Sequence, residues 1–145
     1  MAVVFRKMLV PVDGSAASRR AGKLAIELAK GCSAEVTAIH VVDVASLPVL
    51  ARATGKTRDE LKAELVQEGE HLLAELAREA AQAGVQLTTL VEVGTPHRVI
   101  VDTAAAKGVD LILIGKVGLR GPRRIIIGSV TERVIADAQC PVLVV

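Results

Sequence analysis

Val109-Asp110-Leu111-Ile112-Leu113-Ile114-Gly115 is the stretch on which the fold turns. A strand with one wet face alternates apolar and polar side chains. Four aliphatic residues in a row leave no wet face, so this strand is covered on both sides. Met8-Leu9-Val10-Pro11-Val12 reads the same way near the N-terminus. Doubly buried strands belong to parallel sheets flanked by helices, and the segments between them carry helical periodicity. Ala21, Leu24, Ala25 and Leu28 predict a helix over 15–30, stopped at Gly31 as the C-cap. Residues 35–42 read as a second strand, and 43–56, with Pro48 and Gly55, as irregular. Leu61, Leu65, Leu72, Leu76 and Ala80 stripe a long amphipathic helix over 58–83, ended by Gly84.

The alternation continues to the end of the chain. Residues 85–93 predict a third strand, and Thr95-Pro96 an N-cap followed by proline at the first helical position. That helix runs to about Lys107, with Gly108 beyond it. The fourth strand, 109–114, leads into a glycine-punctuated loop over 115–128, a short helix over 129–138 and a last strand over 142–145. Right-handed crossovers make this an α/β, doubly wound, Rossmann-like fold with five parallel strands and helices on both faces. Residues 1–145 read as a single domain, without linker or internal repeat.

Composition narrows the function. Phe5 is the one aromatic residue in 145, yet 51% of the chain is hydrophobic, so the core is aliphatic. A chain of this length can bury roughly 70% of its unfolded surface. High apolar content with balanced charge excludes disorder. Single-strand nucleic-acid platforms stack bases on aromatic rings, which are missing here. The net charge of +2 gives no electrostatic case for DNA or an anionic membrane. No apolar run reaches the ~18 residues of a membrane span. Charge follows the apolar residues at the N-terminus, the reverse of a secretion signal, and a soluble cytoplasmic protein is expected. Cys32 and Cys140 read as small buried hydrophobes.

Open parallel sheets bind ligands beyond the carboxyl ends of their strands, where the winding reverses. Two loops there are rich in chemistry: Asp13-Gly14-Ser15 after the first strand, and Gly115 to Gly128 after the fourth. If the sheet order is 3-2-1-4-5, the two face one crevice. Glycines at a strand end let backbone N–H groups converge on phosphate oxygens. Gly128-Ser129 opens a helix, whose free N–H groups and dipole favour an anion. The competing reading is a capping box, Ser129-Val130-Thr131-Glu132, which needs no ligand. Asp13 can accept hydrogen bonds from ribose or adenine or help hold a divalent metal; equally, Asp and Ser before a helix can simply cap it.

Taken together these residues resemble the universal stress protein family. The matching segments are Met8 to Ser15, His40-Val41-Val42-Asp43, Asp110 to Gly115 and Cys140 to Val145. The spacing Gly-x2-Gly-x9-Gly-Ser, at Gly115, Gly118, Gly128 and Ser129, fits that family's ATP-binding signature. The resemblance implies the order 3-2-1-4-5, a homodimer joined through the last strand, 142–145, and ATP, with or without magnesium, across the crevice. Pro11, Val12 and Asp13 would then contact adenine and ribose, and the Val41 backbone the adenine edge. Gly115 and Gly118 would lie against ribose and phosphates, and Gly128, Ser129 and Val130 against phosphates. Lys116, Arg120, Arg123 and Arg124 add cations suited to a triphosphate, and Pro122 stiffens the loop. With no ring to stack on, adenine would lie between aliphatic side chains such as Val12, Val41 and Ile114.

Other patterns carry less. Gly55-Lys56-Thr57 mimics the end of a P-loop, but its first glycine position is Leu50. His40, His71 and His97 fall in different elements without ligand spacing, and no nucleophilic triad or dedicated catalytic residue stands out. The alternating charges from Glu60 to Glu79 read as a wet helix face. The leading expectation is therefore a dimeric ATP-binding stress or signalling protein with slow hydrolysis at most, AMP or a cyclic nucleotide being other occupants of the crevice. The alternatives are an adenylyl-transfer enzyme, whose second substrate pocket only 43–57 is free to build, and a nucleotide-free dimer acting through a protein partner.

Overall fold

The computed structural model describes residues 4–119 and 126–145. Five parallel strands form one sheet: β1 (Lys7–Pro11), β2 (Glu35–Asp43), β3 (Leu87–Gly94), β4 (Leu111–Ile114) and β5 (Val142–Val144), in the order β3-β2-β1-β4-β5. The helices are α1 (Ala16–Cys32), α2 (Leu47–Thr54), α3 (Arg58–Gln82), α4 (Pro96–Lys107) and α5 (Ser129–Asp137).

The period-2 geometry of a strand sends successive residues to opposite faces, and both faces here are covered. Met8, Val10, Leu111 and Leu113 pack with Ala21, Ala25, Leu73 and Ala80 on the side of α1 and α3. Leu9, Ile112 and Ile114 pack with Ile100, Ala104 and Val134 on the side of α4 and α5. The aliphatic run Leu111–Ile114 is buried throughout because its residues alternate between these two cores. Met8↔Leu111 and Leu9↔Ile112 set β4 beside β1, so the loops that follow these strands meet. Among the described residues no helix is long and apolar enough to cross a membrane.

Two local expectations change. Helix α1 runs through Gly31 to Cys32, and Ser33 takes the left-handed conformation at φ 55°, its N–H donating to Ala29 O. Ala34 N–H returns to the same carbonyl, so backbone capping, not the glycine, sets the end. Residues 43–56 are not irregular. Asp43 caps a short 3-10 turn, Val44–Ser46, which leads into α2; Pro48 sits in its first turn and Gly55, at φ 72°, ends it. Leu47, with Leu50 and Ala51, packs on Leu61, Leu65 and Val42, which explains why so short a helix holds.

Candidate functional site

The loop after β1 is organised by its own polar side chains. Ser15, extended at φ −66° and ψ 156°, is the N-cap of α1, its Oγ accepting from Ser18 N–H at 3.2 Å. Ser18 Oγ in turn accepts from Asp13 N–H at 3.2 Å and donates to Ser15 O at 3.0 Å. Asp13 Oδ1 accepts from Ser15 N–H at 2.9 Å. Gly14, at φ 88°, makes the left-handed step that an L side chain resists. Ser15 caps the helix, and Asp13 uses one carboxylate oxygen for the turn while the other faces the second loop.

That second loop is drawn closed at its base. Gly128 N–H donates to Lys116 O at 2.8 Å, and Lys116 N–H donates to Val145 O at 2.8 Å. The first and last glycines of the spaced motif are thereby brought together. A Cβ added to Gly118 would stand 2.8 Å from Asp13 Oδ2, so the two loops touch across the crevice. Gly115 is buried, and a Cβ there would meet Ser18 N at 2.8 Å and the Ala17 carbonyl carbon at 2.9 Å. Its missing side chain is therefore demanded by the first turn of α1.

The capping box does not form. Gly128 is the N-cap of α5, Ser129 is its first residue, and the helix start has no side-chain cap hydrogen bond among the described residues. The exposed Ser129 hydroxyl and the first-turn N–H groups are available to a ligand. Val130 lies half-buried behind them. Thr131, named above only as part of the capping box, is buried and donates from Oγ1 to Gly115 O at 2.7 Å, tying α5 to the end of β4. A small polar residue on an otherwise apolar helix face was its signal, as it was for Ser18.

The aliphatic slot drawn for adenine is not found. Val12 and Ile114 are each 5% exposed and point into opposite cores, and Val41, half-buried, packs against the same core as Ile114. The Val12 N–H and carbonyl are already engaged, by Ile39 O and the His40 ring. Arg120, Pro122, Arg123 and Arg124 lie outside the described residues; Lys116 is exposed beside the glycines. Among the described residues no three His, Cys, Asp or Glu side chains cluster as a metal site, so a divalent ion would have Asp13 alone to meet it. Two other concavities lie away from the crevice: about 100 Å³ between α1 and α3 beside Arg19 and Glu75, and about 820 Å³ around Arg6, Lys30 and Gln86 at the amino ends of the strands. Neither combines loop glycines with a helix N-terminus.

The model of the Universal stress protein family matches residues 5–145. The chain belongs to that family. Universal stress protein MJ0531 of Methanocaldococcus jannaschii is 44% identical over 143 residues, covering 98% of this chain and 82% of its own length. The solved structure of hypothetical protein MJ0577, a universal stress protein of the same organism, matches with a TM-score of 0.87 and 32% identity, covering 99% of this chain and 96% of that one. Two more distant universal stress proteins share the fold at 24% identity: one in complex with cAMP, with a TM-score of 0.70 over 99% of this chain and 98% of that one, and one from Archaeoglobus fulgidus in complex with dAMP, at 0.69 over 98% of each. Adenine nucleotides thus occur as ligands within this family.

Proposed function

We propose that this universal stress protein binds an adenine nucleotide, ATP first among them, across the crevice between the ends of β1 and β4, and that occupancy of the site is its output. The observation that carries the reading is the meeting of Asp13 with Gly118 over a loop closed from Gly128 to Lys116. The residues present suit such a ligand. Gly128 has φ −69°, which any residue adopts, and a Cβ there would lie 3.4 Å from the Val117 Cα, so neither backbone strain nor the loop itself requires glycine. Phosphates would lie against Gly128, Ser129 and Val130, with Lys116 supplying charge; Asp13 Oδ2 would accept from the ribose hydroxyls. Val41 would offer backbone N–H and C=O to the adenine edge, and Pro11 and Val12 line its approach. Magnesium would arrive with the triphosphate, with Asp13 as its protein neighbour.

On this reading the bound nucleotide is hydrolysed slowly at most. The segment 43–57 is committed to α2 and its packing, which disfavours a second substrate pocket for adenylyl transfer. A second copy would join through β5, an edge strand whose Leu143 is 38% exposed. With no Trp or Tyr, the purified protein is almost transparent in the near-ultraviolet, so a co-purified nucleotide would dominate its spectrum. An adenine spectrum released on denaturation, or a thermal shift with ATP and magnesium, is the expected result. A featureless spectrum with no shift for ATP, AMP or cAMP would leave a nucleotide-free dimer as the better reading.

A further inference from the structure

His40 lies on β2 with its ring Nδ1 2.8 Å from the carbonyl oxygen of Val12, a residue 28 positions away. A carbonyl carries no proton, so Nδ1 is the donor, and the neutral ring holds its proton there. Val12 stands immediately before Asp13, and its own N–H donates to Ile39 O at 2.8 Å. In a parallel ladder carried one step further, Val41 N–H would take the Val12 carbonyl, because Ile39 and Val41 turn their backbone groups to the same neighbouring strand. The His40 ring takes it instead. The ladder between β1 and β2 stops there, and the N–H and C=O of Val41 are left facing the crevice.

Helix α3 makes room for this arrangement. A Cβ on Gly69 would overlap the His40 ring, with the ring Cγ at 3.0 Å. Glycine inside a helix is unfavourable relative to alanine, and no left-handed φ requires it at this position. The ring is what requires it.

We propose that His40 is a positioning residue of the nucleotide site: its Nδ1–H holds the Val12 carbonyl, which fixes the peptide leading to Asp13 and frees the Val41 backbone pair for the adenine edge. This rests on the adenine-nucleotide reading above. Gly69 belongs to the same device, as the space in which the ring sits.

The test is calorimetric titration of the full chain with ATP and magnesium, paired with melting temperatures. His40→Leu fills similar space without a donor and is expected to weaken binding about tenfold, the equivalent of one hydrogen bond. His40→Asn places an amide N–H one bond beyond Cγ, where Nδ1 stood, and is expected to recover most of that affinity. It does so while leaving a gap beside Gly69 and melting no higher than His40→Leu. A merely structural histidine would make affinity follow melting temperature instead. Gly69→Ala is expected to weaken binding when His40 is present and to raise the melting temperature in the His40→Asn background, where the ring is gone. If the wild type binds ATP and His40→Leu binds it equally well, the positioning role is overturned and the nucleotide reading stands. If the wild type binds no adenine nucleotide, that reading falls and this inference falls with it.

Discussion

Asp13 and Gly118 meet across the crevice, the Asp13 Oδ2 atom lying 2.8 Å from where a Gly118 Cβ would be. The other carboxylate oxygen is already engaged by Ser15 N–H at 2.9 Å. The carboxylate thus has one oxygen fixed by its own loop and one directed at the opposite loop, close to where a ribose would lie. Gly118→Ala presses on the second oxygen and leaves the rest of the exposed loop tip unburdened. It is expected to weaken ATP binding about tenfold, comparable to losing one charge-assisted hydrogen bond, with a melting temperature close to wild type. Titration calorimetry beside a thermal melt checks both halves; unchanged affinity would remove Gly118 from the site.

Gly115 and Gly31 give opposite signs for the same substitution. At Gly115 a Cβ meets α1 backbone at 2.8 Å, and backbone cannot swing aside. Gly115→Ala should therefore destabilise the fold by about 1–3 kcal/mol, the usual cost of overpacking. Gly31 lies inside α1 with nothing within 4 Å of an added Cβ. Gly31→Ala should stabilise by about 0.5–1 kcal/mol through helix propensity. Urea unfolding of the two variants should move the midpoint in opposite directions.

The pair also marks what the sequence could and could not disclose. Gly31 reads as a helix stop because a glycine after an amphipathic stripe is the commonest one; the stop is instead Ser33, in the left-handed conformation a side chain rarely adopts, held by backbone bonds to Ala29 O. Pro48 and Gly55 suggest a loop, although a proline in a first turn and a glycine past a last turn also bound a helix. What decided between those readings was the packing of Leu47 on Leu61, a contact between elements that no local window contains. The strands were legible because their pattern is local, and so was the spaced glycine motif. His40 was not, since its partners Val12 and Gly69 are remote in the chain.

Thr131 ties α5 to β4 by donating to Gly115 O at 2.7 Å in a buried setting. Thr131→Val keeps the shape and removes the donor, leaving that carbonyl unsatisfied. A loss of about 1–3 kcal/mol is expected on unfolding in urea. Because Gly115 begins the ligand loop, ATP affinity should fall as well; Thr131→Ser, which keeps the hydroxyl, should spare affinity better than stability.

Burial, followed by the charge of Asp110, pushes the Cys140 thiol up from its ordinary range. Both causes disfavour the thiolate, the species that reacts with alkylating agents. At a given mildly alkaline pH, Cys140 should be alkylated more slowly than free cysteine, and its rate should keep rising with pH after that of free cysteine has levelled. Timed iodoacetamide labelling read by peptide mass checks this. A rate that levels with free cysteine or earlier would contradict the assigned direction.

The two edges of the sheet differ in a way that bears on assembly. Strand β3 sets Thr88, Thr89 and Glu92 outward, polar residues that discourage pairing, whereas β5 carries Val142, Leu143 and Val144. An aliphatic edge strand with free N–H and C=O groups is a template for another strand, and a second copy of the same strand can meet it about a twofold axis. Leu143, 38% exposed, sits in the middle of that edge. Leu143→Lys adds a charge that two copies would bring together, and a dimer joined through this edge should give way to monomer. Multi-angle light scattering at several concentrations measures the state directly. Val145, next along the chain, accepts from Lys116 N–H, and Lys116 O accepts from Gly128 N–H, so the edge and the ligand loop share one hydrogen-bonded chain. Loss of such a dimer should therefore weaken ATP binding too, and by linkage ATP should tighten it by that factor for each of its two sites, the square of the factor at saturation. A monomer that binds ATP with unchanged affinity would show that the edge and the loop are independent.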